Sequence, residues 1–380
     1  MRLVLVGADE STAPLYRVRL LARLLGARHE VRVVAFDLGG RPSPDPRPDD
    51  FPVERVRLPL RDALALAIRQ LSQPGGRPDA FYAMKPRPTS MGAALEAGRA
   101  LGVPVLLDVD DPEPALVPPY SGRAWRQWLG SWAMRDHPNR YGALRALERR
   151  RGELAGITVV SRDLQRQWGG TWVPQPVEPD RFDPRHVSGD LLADWGLADT
   201  EPVVFAGAAL PNKGVEDALE ALQALDRPWR LVIAGPRTPL AEHLARRDGR
   251  VLVTGSLPPG QVPRLLAGAR AVALPQRPDP ASRGQMPIKL AEAMAMARPV
   301  VATAVSDIPE VLGSAGWVVP PGDRAALERA LFEALAHPDE AARRGREARH
   351  RVLRHHAPGP LGDTLEAVLR SAIAHHRARP

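Results

Sequence analysis

Short apolar runs separated by helical patterns recur along the whole chain, and they constrain its fold more than any other feature. In the first half they fall at residues 3–6, 31–36, 80–83, 103–109 and 157–160; in the second they fall at 203–206, 231–234, 251–253, 271–274, from Val300 onward and at 317–319. Runs this short and this uniformly apolar suit strands buried on both faces, the condition of a parallel sheet covered by helices. Between them stand apolar residues at helical spacing, such as Leu20, Leu21, Leu24 and Leu25, or Val215, Ala218, Leu219, Leu222 and Leu225. Strand, helix and strand in repetition predict a doubly wound α/β fold. At 380 residues the chain exceeds what one core ordinarily serves, so two such domains are expected.

Several function classes lose their support. The loop after the first strand lacks the Gly-x-Gly-x-x-Gly of dinucleotide binders. The formal charge of +8 favours an anionic ligand or surface, yet no block of consecutive basic residues forms a nucleic-acid arm. With no cysteine, the chain has neither disulfides nor thiolate metal sites. Its ten histidines give no Ser-His-Asp set and no i, i+4 pair flanking a Glu. No apolar run reaches the roughly 18 residues of a membrane span, and Met1-Arg2-Leu3 leads straight into a strand, so a cytoplasmic location is expected. Of 52 basic residues only Lys85, Lys213 and Lys289 are lysines. A lysine that survives such a bias is a candidate for needing a compact ammonium rather than a planar fork.

Two stretches of the second half carry chemistry. Residues 207–214, Gly-Ala-Ala-Leu-Pro-Asn-Lys-Gly, leave one strand and open the helix that starts near Val215. A strand ending in Gly207, a loop, and Lys213 at a helix N-terminus make a diphosphate site from backbone N–H groups plus one point charge. Residues 283–303, RGQMPIKLAEAMAMARPVVAT, read as loop, short helix, tight turn and buried strand. Pro287 suits the first helical turn, where its missing N–H would be an orphan anyway. Residues 288–297 are mostly good helix formers, and Arg298-Pro299 stops the helix. Glu292 stands one turn inside, among Leu290, Ala291, Ala293 and Met294. It is either a solvated helix carboxylate or a ligand-binding one.

This second stretch resembles the donor-binding signature of family-4 retaining glycosyltransferases. These are proteins of the GT-B fold, two Rossmann-like domains facing a cleft, that take an activated sugar from a nucleotide diphosphate. Glu292-Ala293-Met294-Ala295 and Pro299-Val300-Val301-Ala302 match the family pattern, and residues 207–214 match its Gly-x5-Lys-Gly loop. Two positions depart. The first Glu of the motif, eight residues before Glu292, is Gly284, and the Arg that often follows the glycine is Ala208. The resemblance implies metal-independent transfer with retention and no cofactor beyond the nucleotide-sugar substrate. Lys213 would meet the diphosphate and Glu292 the ribose hydroxyls, since two carboxylate oxygens can accept from a cis-diol. Gly207, Asn212, Gly214, Thr254, Arg283, Gly284, Gln285, Met286, Pro287, Ile288 and Lys289 would line the donor, with Arg283 or Arg237 supplying the missing phosphate cation. It also implies an acceptor-binding domain over residues 1–180, a donor-binding domain over 181–356, and a C-terminal helix over 357–380 packed back on the first domain. The two departures leave a nucleotide-sugar-binding or scaffold protein of the same fold as the alternative.

In the first half, Lys85 opens a loop at the carboxyl end of the strand at 80–83, where α/β sheets place ligands. The strand at 103–109 runs into Asp108, Asp110 and Asp111, and strand alternation puts the first two on one side and Asp111 on the other. These carboxylates either cap the turn before Pro112 or lie on the acceptor side with Lys85, since Asp-Val-Asp-Asp resembles the Asp-Ile-Asp-Asp of some family members. Trp125, Trp128, Leu129 and Trp132 form an i, i+3, i+4, i+7 stripe interleaved with Arg123, Arg126 and Arg135. Such a stripe is either core or a surface that docks peripherally on the inner face of a membrane, which would suit a lipid-linked acceptor rather than a free sugar.

Overall fold

The computed structural model describes residues 1–7, 14–37, 51–59, 62–72, 77–116, 140–187 and 190–378. The tryptophan stripe at 125–132 lies outside them. In the first half the strands are β1 Arg2–Gly7, β2 Glu30–Asp37, β3 Glu54–Arg57, β4 Ala80–Met84, β5 Val105–Val109, β6 Gly156–Val159 and β7 Thr171–Trp172. In the second they are β8 Glu201–Ala206, β9 Trp229–Ala234, β10 Val251–Val253, β11 Ala271–Leu274, β12 Val300–Thr303 and β13 Trp317–Val319. Two sheets result, ordered β3-β2-β1-β4-β5-β6-β7 and β10-β9-β8-β11-β12-β13. Every pairing in them is parallel. Apart from the extra β7, each sheet follows the Rossmann order 3-2-1-4-5-6. The fully buried β4, β5, β11 and β12 are the apolar runs of the sequence. No such run marks β3, whose Glu-Arg-Val-Arg alternates half-buried and exposed at the sheet edge, or the two-residue β7.

The chain divides into two compact units, Met1–Pro174 with Gly359–Pro380, and Gln175–Pro358. The divisions fall at 174 and 358 rather than at the expected 180 and 356. Gln175 already belongs to the second unit because Val177 and Phe182 are buried there. Val177 also donates its N–H to His356 O at 3.0 Å, and His356 Nδ1 meets the Gln175 carbonyl at 2.9 Å. Burial pushes that imidazole down to about 4, so the ring that joins the two ends of this unit is neutral at physiological pH.

The core of the first unit packs Leu3 and Leu5 of β1, Tyr82 of β4 and Leu106 of β5 against Leu361, Leu365, Leu369 and Ala372. The last four lie on the helix Pro358–Arg377, so the C-terminal helix serves the first unit's core. Its i, i+4 apolar spacing builds the contact stripe. In the second unit Val203 and Phe205 of β8, Leu231 and Ile233 of β9 and Val301 of β12 share a core with Ala218, Leu219 and Leu222 of the helix Val215–Gln223. Among the described residues no helix is long and apolar enough to cross a membrane.

Candidate functional site

In a doubly wound sheet a crevice opens at the carboxyl ends of the two strands where the order reverses. In the second unit those strands are β8 and β11. Residues 207–214 leave β8 and residues 275–287 leave β11, so both stretches singled out in the sequence meet at one place. Their meeting is tight. Gly207 and Gly214 have φ of 135° and 64°, a region costly for any residue with a side chain. A Cβ on Gly214 would overlap the Pro275 carbonyl oxygen. Arg277 donates its N–H to Asn212 O at 2.9 Å, and its Nε reaches Asp217 Oδ2 at 2.7 Å. Lys213, ending the turn Pro211–Lys213, places Nζ 3.1 Å from Gln285 Oε1. The helix that follows has Gly214 at its N-cap and no side-chain cap, which leaves first-turn N–H groups facing outward. Of the acidic residues in that first turn, Asp217 is engaged by Arg277.

The motif helix spans Ile288–Ala295, with Pro287 extended at its N-cap rather than inside the first turn. It also stops two residues earlier than its composition suggests. Ala297 turns left-handed at φ 52°, and Ala297 and Arg298 return their N–H groups to Met294 O and Ala293 O at 2.9 and 3.0 Å. The helix is therefore closed before Pro299 is reached. Glu292 is half-buried. Lys289, one turn earlier, sets Nζ 4.5 Å from the centroid of the Phe205 ring, and a Cβ on Gly207 would collide with that ammonium. Burial and the like charge of Lys213 push Lys289 down to about 7, against the pull of Glu292.

The other expected donor residues are dispersed. Met286 and Gly284 are buried, whereas Arg283 and Arg237 are exposed. Gly284 ends a short helix, Pro280–Gly284, fixed by a capping box in which Ser282 Oγ and the Asp279 carboxylate each accept the other's N–H. Thr254 follows β10, two strands from β8, with its hydroxyl on Gly255 O at 2.8 Å. Gln276 went unmarked in the sequence. It is 4% exposed and its carbonyl accepts from Thr303 Oγ1 at 2.5 Å. Its side-chain Nε2 is buried with no partner among the described residues, a costly state for an amide. Its one sequence signal is position, directly after the strand at 271–274 and Pro275.

In the first unit the reversal lies between β1 and β4, and Lys85 directly follows β4 at φ 71°. A non-glycine residue held left-handed at the end of this strand is backbone strain. Its N–H is fixed to Asp108 O at 2.8 Å. Its Nζ lies 3.1 Å from both Asp110 Oδ1 and Glu113 Oε1 and in contact with Asp111 Oδ2. Arg87 Nε reaches the other oxygen of Glu113 at 2.7 Å. Burial works against the Lys85 charge, but the three carboxylates outweigh it and hold its ammonium well above the ordinary lysine value. Burial, together with Asp111 and Asp108, pushes Asp110 up to about 6 against the pull of Lys85. The alternation expected of the aspartates fails because β5 ends at Val109: beyond it Asp110 and Asp111 both turn to Lys85. Asp108 points away from Lys85 Nζ. It is buried in a two-pronged pair with Arg17, at 2.6 and 2.8 Å, and accepts from Thr158 Oγ1 at 2.6 Å. Arg17, Arg87 and Glu113 were not anticipated, because each lies outside the Lys85 and Asp-x-Asp-Asp motifs.

Residues 200–337 match the model of the glycosyl transferases group 1, and residues 13–174 match that of the glycosyl transferase 4-like domain. The chain belongs to the group 1 glycosyltransferases of the GT-B fold. Among curated relatives, α-D-kanosaminyltransferase of Streptomyces kanamyceticus is 30% identical over 191 residues, 48% of each chain. The GDP-mannose-dependent α-(1-6)-phosphatidylinositol monomannoside mannosyltransferase of Mycolicibacterium smegmatis is 29% identical over 233 residues, 55% of this chain and 60% of its own. The chain thus spans about half the length of the curated relatives it matches. In fold it is similar to Anabaena Alr3699/HepE, solved in complex with UDP and glucose, with a TM-score of 0.73 at 15% identity over 98% of this chain and all of that one.

Proposed function

We propose that this chain transfers a sugar from a nucleotide-diphosphate donor, held at the carboxyl ends of β8 and β11, to a sugar or lipid-linked acceptor at the first unit, with retention and without a metal. The observation that carries the proposal is the approach of Lys213, at an uncapped helix N-terminus, to within 3.1 Å of Gln285 in the motif stretch 72 residues away. An ammonium and outward N–H groups at one crevice suit a diphosphate, both bound and departing. Glu292 would accept from the ribose diol, and the unpartnered Gln276 amide would donate to a polar group of the donor. Both curated relatives are named for α-linked products, which supports retention from an α-linked donor. On the acceptor side, Asp110 near 6 is a carboxyl suited to holding a hydroxyl. Absence of a metal is supported by Lys85, whose ammonium occupies the centre of the Asp110, Asp111 and Glu113 carboxylates.

A thermal-shift panel of uridine, guanosine, thymidine and adenosine diphosphates and their sugars, with and without chelator, tests this. One base should stabilise the chain, by about 2.7 kcal/mol at a hundred times Kd, and chelator should leave the shift unchanged. No stabilisation by any of them at millimolar concentration contradicts the donor site, and loss of the shift in chelator contradicts metal independence.

A further inference from the structure

Ala208 stands where the resembled pattern often has an arginine, and the two arginines expected to replace it are exposed. We propose that Lys289 takes that place, as the second cation on the donor diphosphate, approaching it across the backbone of Gly207. The proposal rests on the donor-site reading above and adds to it a residue role and a proton.

The geometry is specific. Lys289 comes from the motif helix after β11, yet its Nζ lies against Gly207 at the start of the loop that leaves β8, so closely that a Cβ there would displace it. The Phe205 ring lies 4.5 Å away, a favourable face for an ammonium. The charged groups that face it are Lys213 from the 207–214 loop and Glu292 from its own helix. Of the other polar neighbours of the crevice, Gln285 is neutral and bonded to Lys213, the Gln276 amide carries no charge, and Arg277 is paired with Asp217. Two ammonium-bearing side chains from different strand ends therefore converge where a glycine has been cleared of its side chain. An anion of two or more charges is the ligand such a pair suits.

A consequence can be measured. In the free chain, burial and Lys213 push Lys289 down to about 7, so at pH 8 most molecules carry it as the neutral amine. A diphosphate between the two lysines reverses the field and favours the ammonium. Binding should then draw one proton from solvent onto Lys289 Nζ, with no other bond changed. At pH 8 the nucleotide's own phosphates, with a last pKa of about 6, are fully ionised and do not confuse the count.

The test is calorimetric titration with uridine and guanosine diphosphates at pH 8 in two buffers of different ionisation enthalpy. The parent should take up close to one proton per nucleotide bound. Lys289→Met should abolish the uptake and weaken binding by roughly ten- to a hundredfold, while Lys289→Arg, always charged, should keep most of the affinity without uptake. Binding by the parent with no proton uptake overturns the proposal whatever the variants do. Parental affinity and uptake in Lys289→Met overturn it too, and leave the donor site standing. If neither nucleotide binds the parent, the donor-site reading falls and the role of Lys289 falls with it.

Discussion

The two sheets present the same side chain at the same topological place with opposite electrostatics. All three lysines of the chain lie at the carboxyl ends of strands flanking a reversal of strand order: Lys85 after β4, Lys213 after β8 and Lys289 after β11. In the first unit the ammonium is neutralised from within by Asp110, Asp111 and Glu113, and is held above the ordinary lysine value. In the second unit Lys213 bonds a neutral amide and Lys289 is pushed down to about 7. An ammonium already ringed by carboxylates has little left for an anion, whereas a buried lysine that the like charge of Lys213 helps depress gains by admitting one. The difference supports the proposed placing of the anionic donor in the second crevice and not in the first.

Substitutions that break this contrast should rank by how deeply each charge is embedded. Asp108→Ala takes from the buried Arg17 its carboxylate partner, and should destabilise the chain by about 3–5 kcal/mol in denaturant melts. An unchanged midpoint would return Asp108 to the ligand side. Lys213→Ala should lower turnover as well as affinity, by about 2–4 kcal/mol in the barrier, because the diphosphate gains charge as it leaves. Lys213→Arg should not restore it fully, since a planar fork does not fit a turn closed by Gly214. Glu292→Ala should raise KM and leave kcat nearly unchanged, because ribose contacts alter little between ground and transition states. A fall in kcat alone would move Glu292 to the reacting centre.

The smallest effect is a pH signature in the first unit. The folded Asp110 value near 6 lies above the ordinary aspartate value of about 3.9. Its ionisation therefore opposes folding in full above pH 6, and the penalty vanishes as the pH falls below about 4. Lys85 keeps two carboxylates without it. Asp110→Asn should accordingly shift the melting temperature more favourably at pH 7 than at pH 4, and an equal shift at both would refute the raised value.

Much of this was legible in the residues. Parallel strands buried on both faces must be apolar throughout, so β1, β4, β5, β8, β9, β11 and β12 announce themselves, whereas β3, half-exposed at an edge, does not. Gly207, Lys213 and the 283–303 stretch were readable because close backbone approach and helix starts restrict residue choice. What the pattern hid depends on distance in sequence. Arg17 pairs with Asp108 across 91 residues, and nothing local marks either as a buried partner. Strand alternation mispredicted Asp110 and Asp111 because it holds only where the strand continues, and β5 ends at Val109. Arg283 and Arg237 are plausible phosphate cations by sequence alone, and both are exposed; the closeness of Lys289 to Gly207 is a long-range feature that no local pattern marks.

The contrast between the two crevices is tested most directly by nucleoside-diphosphate titration of Lys213→Ala and Lys85→Met side by side, each checked for folding by its melt. Lys213→Ala should stay folded and lose at least tenfold in affinity, a change of about 1.4 kcal/mol. Lys85→Met should melt earlier, having left Asp110, Asp111 and Glu113 without their shared ammonium, while its folded fraction binds with parental affinity. Parental affinity in Lys213→Ala, or lost affinity in folded Lys85→Met, would contradict the assignment of the anion to the second unit.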